Sequence, residues 1–364
     1  MSFGKIIKRL RVENNMTQEN LAEILSISPQ AISRWETNMA MPDISLIAPL
    51  CNLFNVTSDE LLEIDAAHRK SAVIEISNAS DKYSQRGYLE EARRILEDGL
   101  KKYPGNCELE YKLMTIAYWQ RINSDGRKYI EETIRLGEEI LSKSTDDYHR
   151  HGAIQTLCYA YKDVGRIEEA EKMANSMPFI ACSQEMLKST VYSGSKAYTA
   201  EQHKAFNLLR FLSNSLISLQ TTMDNGESSY TDEEYATLLK KRISLFDLFF
   251  ENGDFGFFHT HLCDTHKELA VYYAKTGDER NELLHIESAA EHAIKFITSV
   301  SEERTSLVFR GQIDDCWASG SKDNQAKWLL KELNNNIFEG VRQTDEFQRI
   351  QNRLYEYSGE WCVN

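Results

Sequence analysis

Proline is scarce: five occur in 364 residues, and none follows Pro178. Unfoldable linkers and low-complexity tails are usually richer in it, so a chain folded throughout is expected. Cysteine pairs at C-x-x-C spacing are absent among Cys51, Cys107, Cys158, Cys182, Cys263, Cys316 and Cys362. That gives neither a zinc ribbon nor a disulfide framework, and reduced, mostly packed thiols are expected. Long apolar runs are also missing. The longest stretch without Asp, Glu, Lys or Arg, Ile44 to Ser58, contains Asn52, Asn55 and Thr57 and falls short of the roughly 20 apolar residues of a membrane helix. The opening MSFGKIIKRLRVENN has basic residues but no apolar run behind them to act as a signal peptide. A cytoplasmic protein without membrane contact is expected. No phosphate-cradling glycine loop, G-x-S-x-G or H-E-x-x-H occurs, so no catalytic residue, cofactor or enzyme activity is expected. Positive charge is the minority: 42 basic residues against 56 acidic leave a net charge of -14. Most of such a surface repels a polyanion, and any nucleic-acid contact has to be local.

What is present is helical periodicity. Length alone suggests two or three domains. From Met1 to Ile64 the apolar residues recur at helical spacing in five short segments separated by capping residues. Ile6, Ile7 and Leu10 mark the first, and Thr17 caps the second, QENLAEIL. Ser28 caps the third, PQAISRWE, with Pro29 at the first helical position, where proline is best tolerated. The fourth runs from about Ser45 to Phe54, and Ser58 starts the fifth with Asp59 and Glu60 near the positive end of the dipole. Two helices joined by the short turn Ser26 to Ser28 suggest a helix-turn-helix.

The string TQENLAEILSISPQAISRWETN and the run from Pro42, PDISLIAPLCNLFNVTSDELL, resemble the phage-repressor (Cro/XRE) type of helix-turn-helix DNA-binding domain over about residues 3 to 64. Carried over position by position, the resemblance implies that Gln18 touches a phosphate or base. It also implies that Ser28, Gln30, Ser33 and Arg34 project toward the major groove, that Asn38 lies near the DNA backbone, and that Arg11 pairs with Glu36 inside the fold. Two positions depart from the family pattern: Ser26 replaces the usual turn glycine, and Pro29 stands where a polar base-reading residue is frequent. Gln30 and Arg34 then carry more of the readout. Glutamine can pair bidentately with adenine and arginine with guanine, each contributing about 1 to 3 kcal/mol of discrimination. Residues 1 to 64 hold five basic and eight acidic residues, so binding would rest on polar side chains and helix ends rather than on net charge.

From Asp65 onward the periodicity is helical to the end. YSQRGYLEEARRILEDGLKKYPGN places Tyr83, Gly87, Ala92, Leu96, Pro104 and Asn106 in a tetratricopeptide-like pattern. The skeleton returns at Leu157, Tyr161, Gly165 and Ala170, and at Leu269, Tyr273 and Gly277; Ala117 lies in the first helix of another unit. The interval from Tyr161 to Tyr273 leaves room for about three further units. The region resembles the tetratricopeptide superfamily, which implies helix pairs stacked around a groove. By repeat register, Tyr111, Tyr118, Gln155, Tyr159, Lys162, Lys267 and Lys275 should face that groove. Phe338, Val341, Phe347, Ile350 and Leu354 mark a terminal amphipathic cap.

Two clusters invite chemistry. His259, His261, Cys263 and His266 could ligate a metal, but no second pair at a recognised spacing accompanies them; no metal site is expected. The aromatic run LFDLFFENGDFGFF is read as packing between helices.

The expected fold is all-α: a five-helix, phage-repressor-like helix-turn-helix domain over residues 1–64, then a tetratricopeptide-like α-solenoid with a cap helix over residues 65–364. The architecture is similar to the peptide-pheromone-sensing regulators of Gram-positive bacteria (the RRNPP group), which bind operators as dimers and take short peptides in the repeat groove. The resemblance implies a homodimeric transcriptional regulator that binds a near-palindromic double-stranded DNA operator and a short peptide or protein effector. The alternative is an adaptor whose repeats bind a protein and whose helix-turn-helix only tethers or dimerises it.

Overall fold

The computed structural model describes residues 3–62, 66–122, 126–314 and 320–362, apart from the side chains of 66–68. Contacts divide the chain into two compact units, residues 1–78 and 79–364. The domain boundary expected at residues 64 and 65 falls outside the described residues, as does Cys316. Every regular element among the described residues is a helix; the remaining pairing is two isolated β-bridges.

In the first unit α1 (Phe3–Glu13), α2 (Gln18–Ile24), α3 (Pro29–Glu36), α4 (Ile47–Phe54) and α5 (Ser58–Leu61) enclose one core. Ile7, Leu21, Ile32, Leu50 and Leu61 are fully buried there, each contributing about 1.5 to 3 kcal/mol. The caps explain the boundaries. Thr17 and Asn20 form a reciprocal capping box, and the Ser28 hydroxyl accepts the Ala31 amide at 3.2 Å. One expected boundary shifts: a 3-10 turn, Ile44–Leu46, capped by Asp43, precedes α4. The fifth helix starts at Ser58 as expected, and Thr57 caps it, accepting the Glu60 amide at 3.2 Å.

The division between units falls within α6 (Ala66–Ser84). The second unit continues with α7 (Leu89–Lys102), α8 (Cys107–Gln120), α9 (Gly126–Lys143), α10 (Asp147–Asp163) and α11 (Ile167–Asn175). Then come α12 (Gln184–Val191), α13 (Gly194–Ser218), α14 (Asp232–Phe249), α15 (His259–Thr276), α16 (Glu279–Ser299), α17 (Gln325–Leu333) and α18 (Asp345–Tyr357).

The repeats are visible in backbone detail. Gly87, Gly165 and Gly277 take left-handed φ values of 75°, 78° and 73°, the conformation a helix-ending turn asks of glycine. After each, the next amide donates to the carbonyl of the repeat tyrosine: Tyr88 to Tyr83 at 3.0 Å, Arg166 to Tyr161 at 2.8 Å, Asp278 to Tyr273 at 3.0 Å. At equivalent positions of two repeats, Ser80 Oγ donates to the Ala92 carbonyl and Cys158 Sγ to that of Ala170.

Two expectations for this unit fail. Between α11 and α15 stand three helices, not three pairs, because α13 is 25 residues long and residues 219–231 form a turn that closes through the Thr222–Ser228 bridge. Nor is the pattern helical to the end. After α16 the described residues up to α17 are irregular, held by Asp254, which accepts the Thr305 and Ser306 amides, and by a buried pair between Arg304 and Asp314. The aromatic run packs as anticipated: Phe246, Phe250, Phe255 and Phe258 interlock with Phe309 in one buried cluster.

Phe338, Val341, Phe347, Ile350 and Leu354 are all buried against α15–α17. Beyond α18 the chain returns to the first repeat. Tyr88 Oη donates to the Trp361 carbonyl at 3.0 Å, Lys322 lies 3.4 Å from Glu91, and the Trp361 amide donates to the Lys322 carbonyl at 2.9 Å. A Cβ at Gly87 would collide with the Ser321 backbone at 2.2 Å, so glycine there permits the approach. The six described cysteines are unpaired; Cys263 alone is buried, and Cys182 and Cys362 are exposed. Among the described residues no helix is long and apolar enough to cross a membrane.

Candidate nucleic-acid interface and repeat groove

Helix α3 is two-faced because its apolar residues sit three apart. Ile32 and Trp35 enter the core, leaving Gln30, Ser33 and Arg34 together on the opposite face. Gln30 and Arg34 are exposed, and among the described residues Arg34 makes no ion pair. Ser28 stands at the head of the same helix with its hydroxyl engaged in the cap. Gln18 is half-buried at the start of α2, and its Nε2 donates to Glu36 Oε2 at 2.8 Å.

Glu36 is the hub beneath this surface. Arg11 reaches it through Nε at 2.6 Å and Nη2 at 3.1 Å, and its Nη1 donates to the Met16 carbonyl at 2.7 Å. Burial pushes the Glu36 carboxyl up, but the bonds from Arg11 and Gln18 outweigh it and hold the carboxyl below its ordinary range. The Arg11–Glu36 pair that the family resemblance implied is therefore present. It fixes the end of α3 and also orients Gln18.

Asn38, expected near a DNA backbone, has a role inside the fold. Its backbone is left-handed, with φ of 59°, and its Oδ1 accepts the Gly4 amide at 3.0 Å. It pins α1 to the end of α3, and a Cβ on Gly4 would meet the Trp35 carbonyl at 2.3 Å. Ser26 also sits at a left-handed φ, 55°, which explains why glycine is usual in this turn.

In the second unit five of the expected groove residues lie on α8 and α10. Tyr118 and Tyr159 stack with centroids 6.0 Å apart, Gln155 Nε2 lies 3.4 Å from Tyr159 Oη, and Tyr111 meets Tyr148 edge-on at 5.7 Å. Burial, with Asp163 nearby and Arg121 opposing, pushes the Tyr118 hydroxyl up to about 12, so it remains a donor at neutral pH. Arg121 lies 3.6 Å over the Tyr118 ring and binds Asp163 at 2.8 Å. Lys162 is exposed one turn beyond Tyr159, and no ion pair engages it among the described residues.

Lys267 and Lys275 lie elsewhere, on α15. Lys267 is 12% exposed, 2.5 Å from Glu268 and 3.6 Å from both Asp264 and Glu332; Lys275 binds Asp232 at 3.0 Å. Sequence register missed the neighbours that complete the α8–α10 face. Lys112 binds Asp81 at 2.6 Å, His149 binds Glu108 at 2.8 Å, and a Cβ on Gly152 would lie 2.5 Å from the Tyr111 ring. The readable signal was the seven-residue rhythm Tyr148, Gln155, Lys162.

Of the histidines of FFHTHLCDTHKE, His259 and His266 face α16, whereas His261 packs against Phe246 and Phe257. His259 Nδ1 lies 2.8 Å from His292 Nδ1, and His266 Nδ1 lies 2.9 Å from His285 Nδ1. Cys263 is fully buried beside Gln325. Among the described residues no three His, Cys, Asp or Glu are arranged to hold a metal ion.

The helix-turn-helix family profile matches residues 7–61. Over 76 residues the chain is 30% identical to the SPbeta prophage-derived uncharacterized HTH-type transcriptional regulator YonR of Bacillus subtilis (strain 168), covering 21% of this chain and 68% of YonR. The chain belongs to the helix-turn-helix family of transcriptional regulators. Another helix-turn-helix relative, the HTH-type transcriptional activator BcrR of Enterococcus faecalis, is 42% identical over 62 residues, 17% of this chain. The chain spans only 30% of the length of BcrR. Among solved structures, Bacillus thuringiensis PlcR in complex with the peptide PapR7 and DNA aligns with 80% of this chain and 94% of its own, at 13% identity and a TM-score of 0.32. In this helix-turn-helix chain the matched residues are those that build α1 to α5, with Gln18, Ser28, Gln30, Ser33 and Arg34 inside the match.

Proposed function

We propose that the protein is a cytoplasmic, sequence-specific DNA-binding transcriptional regulator without enzymatic activity. Residues 1–64 read a near-palindromic operator; residues 65–364 dimerise the protein and take a short peptide or protein effector. The observation that carries this reading is the free face of α3. Ile32 and Trp35 anchor the helix from behind, while Gln30 and Arg34 stand exposed with donors that the module does not use. Polar donors without internal partners on a rigid helix suit base edges in a major groove. Gln18 would reach a phosphate or base, with Ser28 and Ser33 beside it and Asn38 near the DNA backbone.

Selection from a random double-stranded DNA pool tests it. A defined site should emerge, with affinity falling steeply as salt rises. Arg34→Ala should cost about 1 to 3 kcal/mol at a single base position and leave the melting temperature unchanged. A pool that stays random would instead support the protein-adaptor alternative.

A further inference from the structure

Helices α12 and α13 pack together with only Tyr192 and Ser193 between their ends. A cleft of about 690 Å³ opens along the pair, lined by Lys188 and Tyr192 on one side and by Lys196, Thr199, His203 and Asn207 of α13 on the other. Sites that take whole small molecules measure about 300 to 1,000 Å³. The four α13 residues recur at spacings of three and four, which puts them on one face of the helix. That face is anchored. Gln202 Nε2 donates to the Val308 and Arg310 carbonyls at 3.0 and 3.1 Å, and Lys204 Nζ ties the two helices by donating to Ser189 Oγ at 2.9 Å.

Charge sets the cleft apart. In a chain of net charge -14, the neighbouring cation Lys204 is neutralised by Glu201 at 2.6 Å. Lys188 and Lys196 stand exposed in the wall and make no ion pair among the described residues. Glu185, the one acid among the lining residues, sits three positions before Lys188, a spacing at which helix charges often pair, and leaves it alone. Two ammonium groups are point charges with three donors each, and Thr199 and Asn207 add neutral hydrogen-bonding groups. A dianion with several oxygens matches that set; one carboxylate leaves an ammonium unmatched. A lone phosphoryl group fills only part of the volume. The remainder runs to Phe206, whose ring is fixed against Phe258 at 4.7 Å and lines the cleft.

We propose that the α12–α13 cleft binds a phosphorylated small molecule of about mononucleotide size, with its phosphoryl oxygens on Lys188 and Lys196 and its organic body along Thr199, His203 and Asn207 toward Phe206. None of the lining residues belongs to the α8–α10 face, and the site stands independently of the effector and of the operator reading proposed above. Because the two lysines come from different helices, the anion clamps α12 onto α13. The protein then has a metabolite-binding site in its second unit.

The test is calorimetric titration of the full-length protein in phosphate-free buffer. The panel holds the common nucleoside 5′-monophosphates, glucose 6-phosphate, the unphosphorylated parent of each, inorganic phosphate and citrate. At least one ester should bind, with its parent at least twenty-fold weaker and inorganic phosphate at least five-fold weaker. Lys188→Gln and Lys196→Gln, both at exposed positions, should each weaken that ester at least five-fold and leave the melting temperature of the unliganded protein unchanged. Lys172→Gln, at an exposed position on α11 outside the cleft, should leave the affinity as it is. Hydrogen exchange with the ester bound should slow in α12 and α13. A panel in which no ester binds, or a parent or citrate that binds as tightly as its ester, overturns the proposal. So does protection that appears in α1 to α5 instead, which would place the phosphate on the DNA-binding unit, or a loss with Lys172→Gln equal to that with the cleft lysines, which would mean diffuse charge attraction only.

Discussion

The two units treat their charged and polar side chains in opposite ways. On α3 the donors of Gln30 and Arg34 point outward unspent, and the ion pair beneath them, Arg11–Glu36, is buried where it fixes the scaffold. In the second unit most cations are consumed internally: Lys112 by Asp81, Arg121 by Asp163, Lys267 by three carboxylates, Lys275 by Asp232. Lys162 is the exception among the assigned groove lysines. A polar residue at the right register becomes a recognition element only if the fold leaves it unsatisfied, and register alone does not report that.

Acid should separate the units most sharply. Residues 1–62 contain no histidine, whereas burial, with nearby cations, holds His259 down to about 4 and His261 to about 3. Burial and the neighbouring imidazoles hold His266 to about 3, and His292 follows for the same reasons. Unfolded histidine titrates near 6.5, so a depressed folded value favours the native state above that pH and loses ground as pH falls below it. By pH 5 the loss is about 2 kcal/mol per such histidine, several in all. Glu36, also depressed, keeps its contribution until pH drops below about 4.5. Hydrogen exchange followed from pH 7 to 4.5 should therefore show α15 and α16 losing protection while α1 to α5 keep theirs. Simultaneous loss would break the contrast.

Gly4→Ala inverts it. With a Cβ 2.3 Å from the Trp35 carbonyl, the first unit should lose about 3 kcal/mol, the upper range of overpacking, with no change in protection at α15 and α16. A melting curve for the first unit that does not move would mean that α1 shifts freely on α3. Ser26→Gly is the smallest effect and runs the other way. It relieves a left-handed non-glycine residue and should stabilise the first unit by about 1 kcal/mol, visible as a higher melting temperature with operator affinity unchanged.

Legibility followed the range of the interactions. Thr17, Ser28 and the Ile32–Trp35 spacing act within one turn and were readable; so were Gly87, Gly165 and Gly277, each of which closes its own turn. The helix-turn-helix face came from family resemblance, but the bond from Gly4 to Asn38 spans 34 residues and has no periodic trace. The same holds for Asp254, which orders a segment more than 50 residues away. Lys267 and Lys162 look alike in register, and only the acids around Lys267, contributed partly by α17, tell them apart.

The return of the chain end to Tyr88 alters how damage spreads. Stacked repeats normally behave like a zipper, fraying inward from either free end, so that the first and last units fail independently. Here the Trp361 carbonyl and Lys322 latch onto Tyr88 and Glu91, and the zipper has its two ends buttoned together. Removing the last few residues should loosen the opening repeat as well as the closing one, some 270 positions away in sequence.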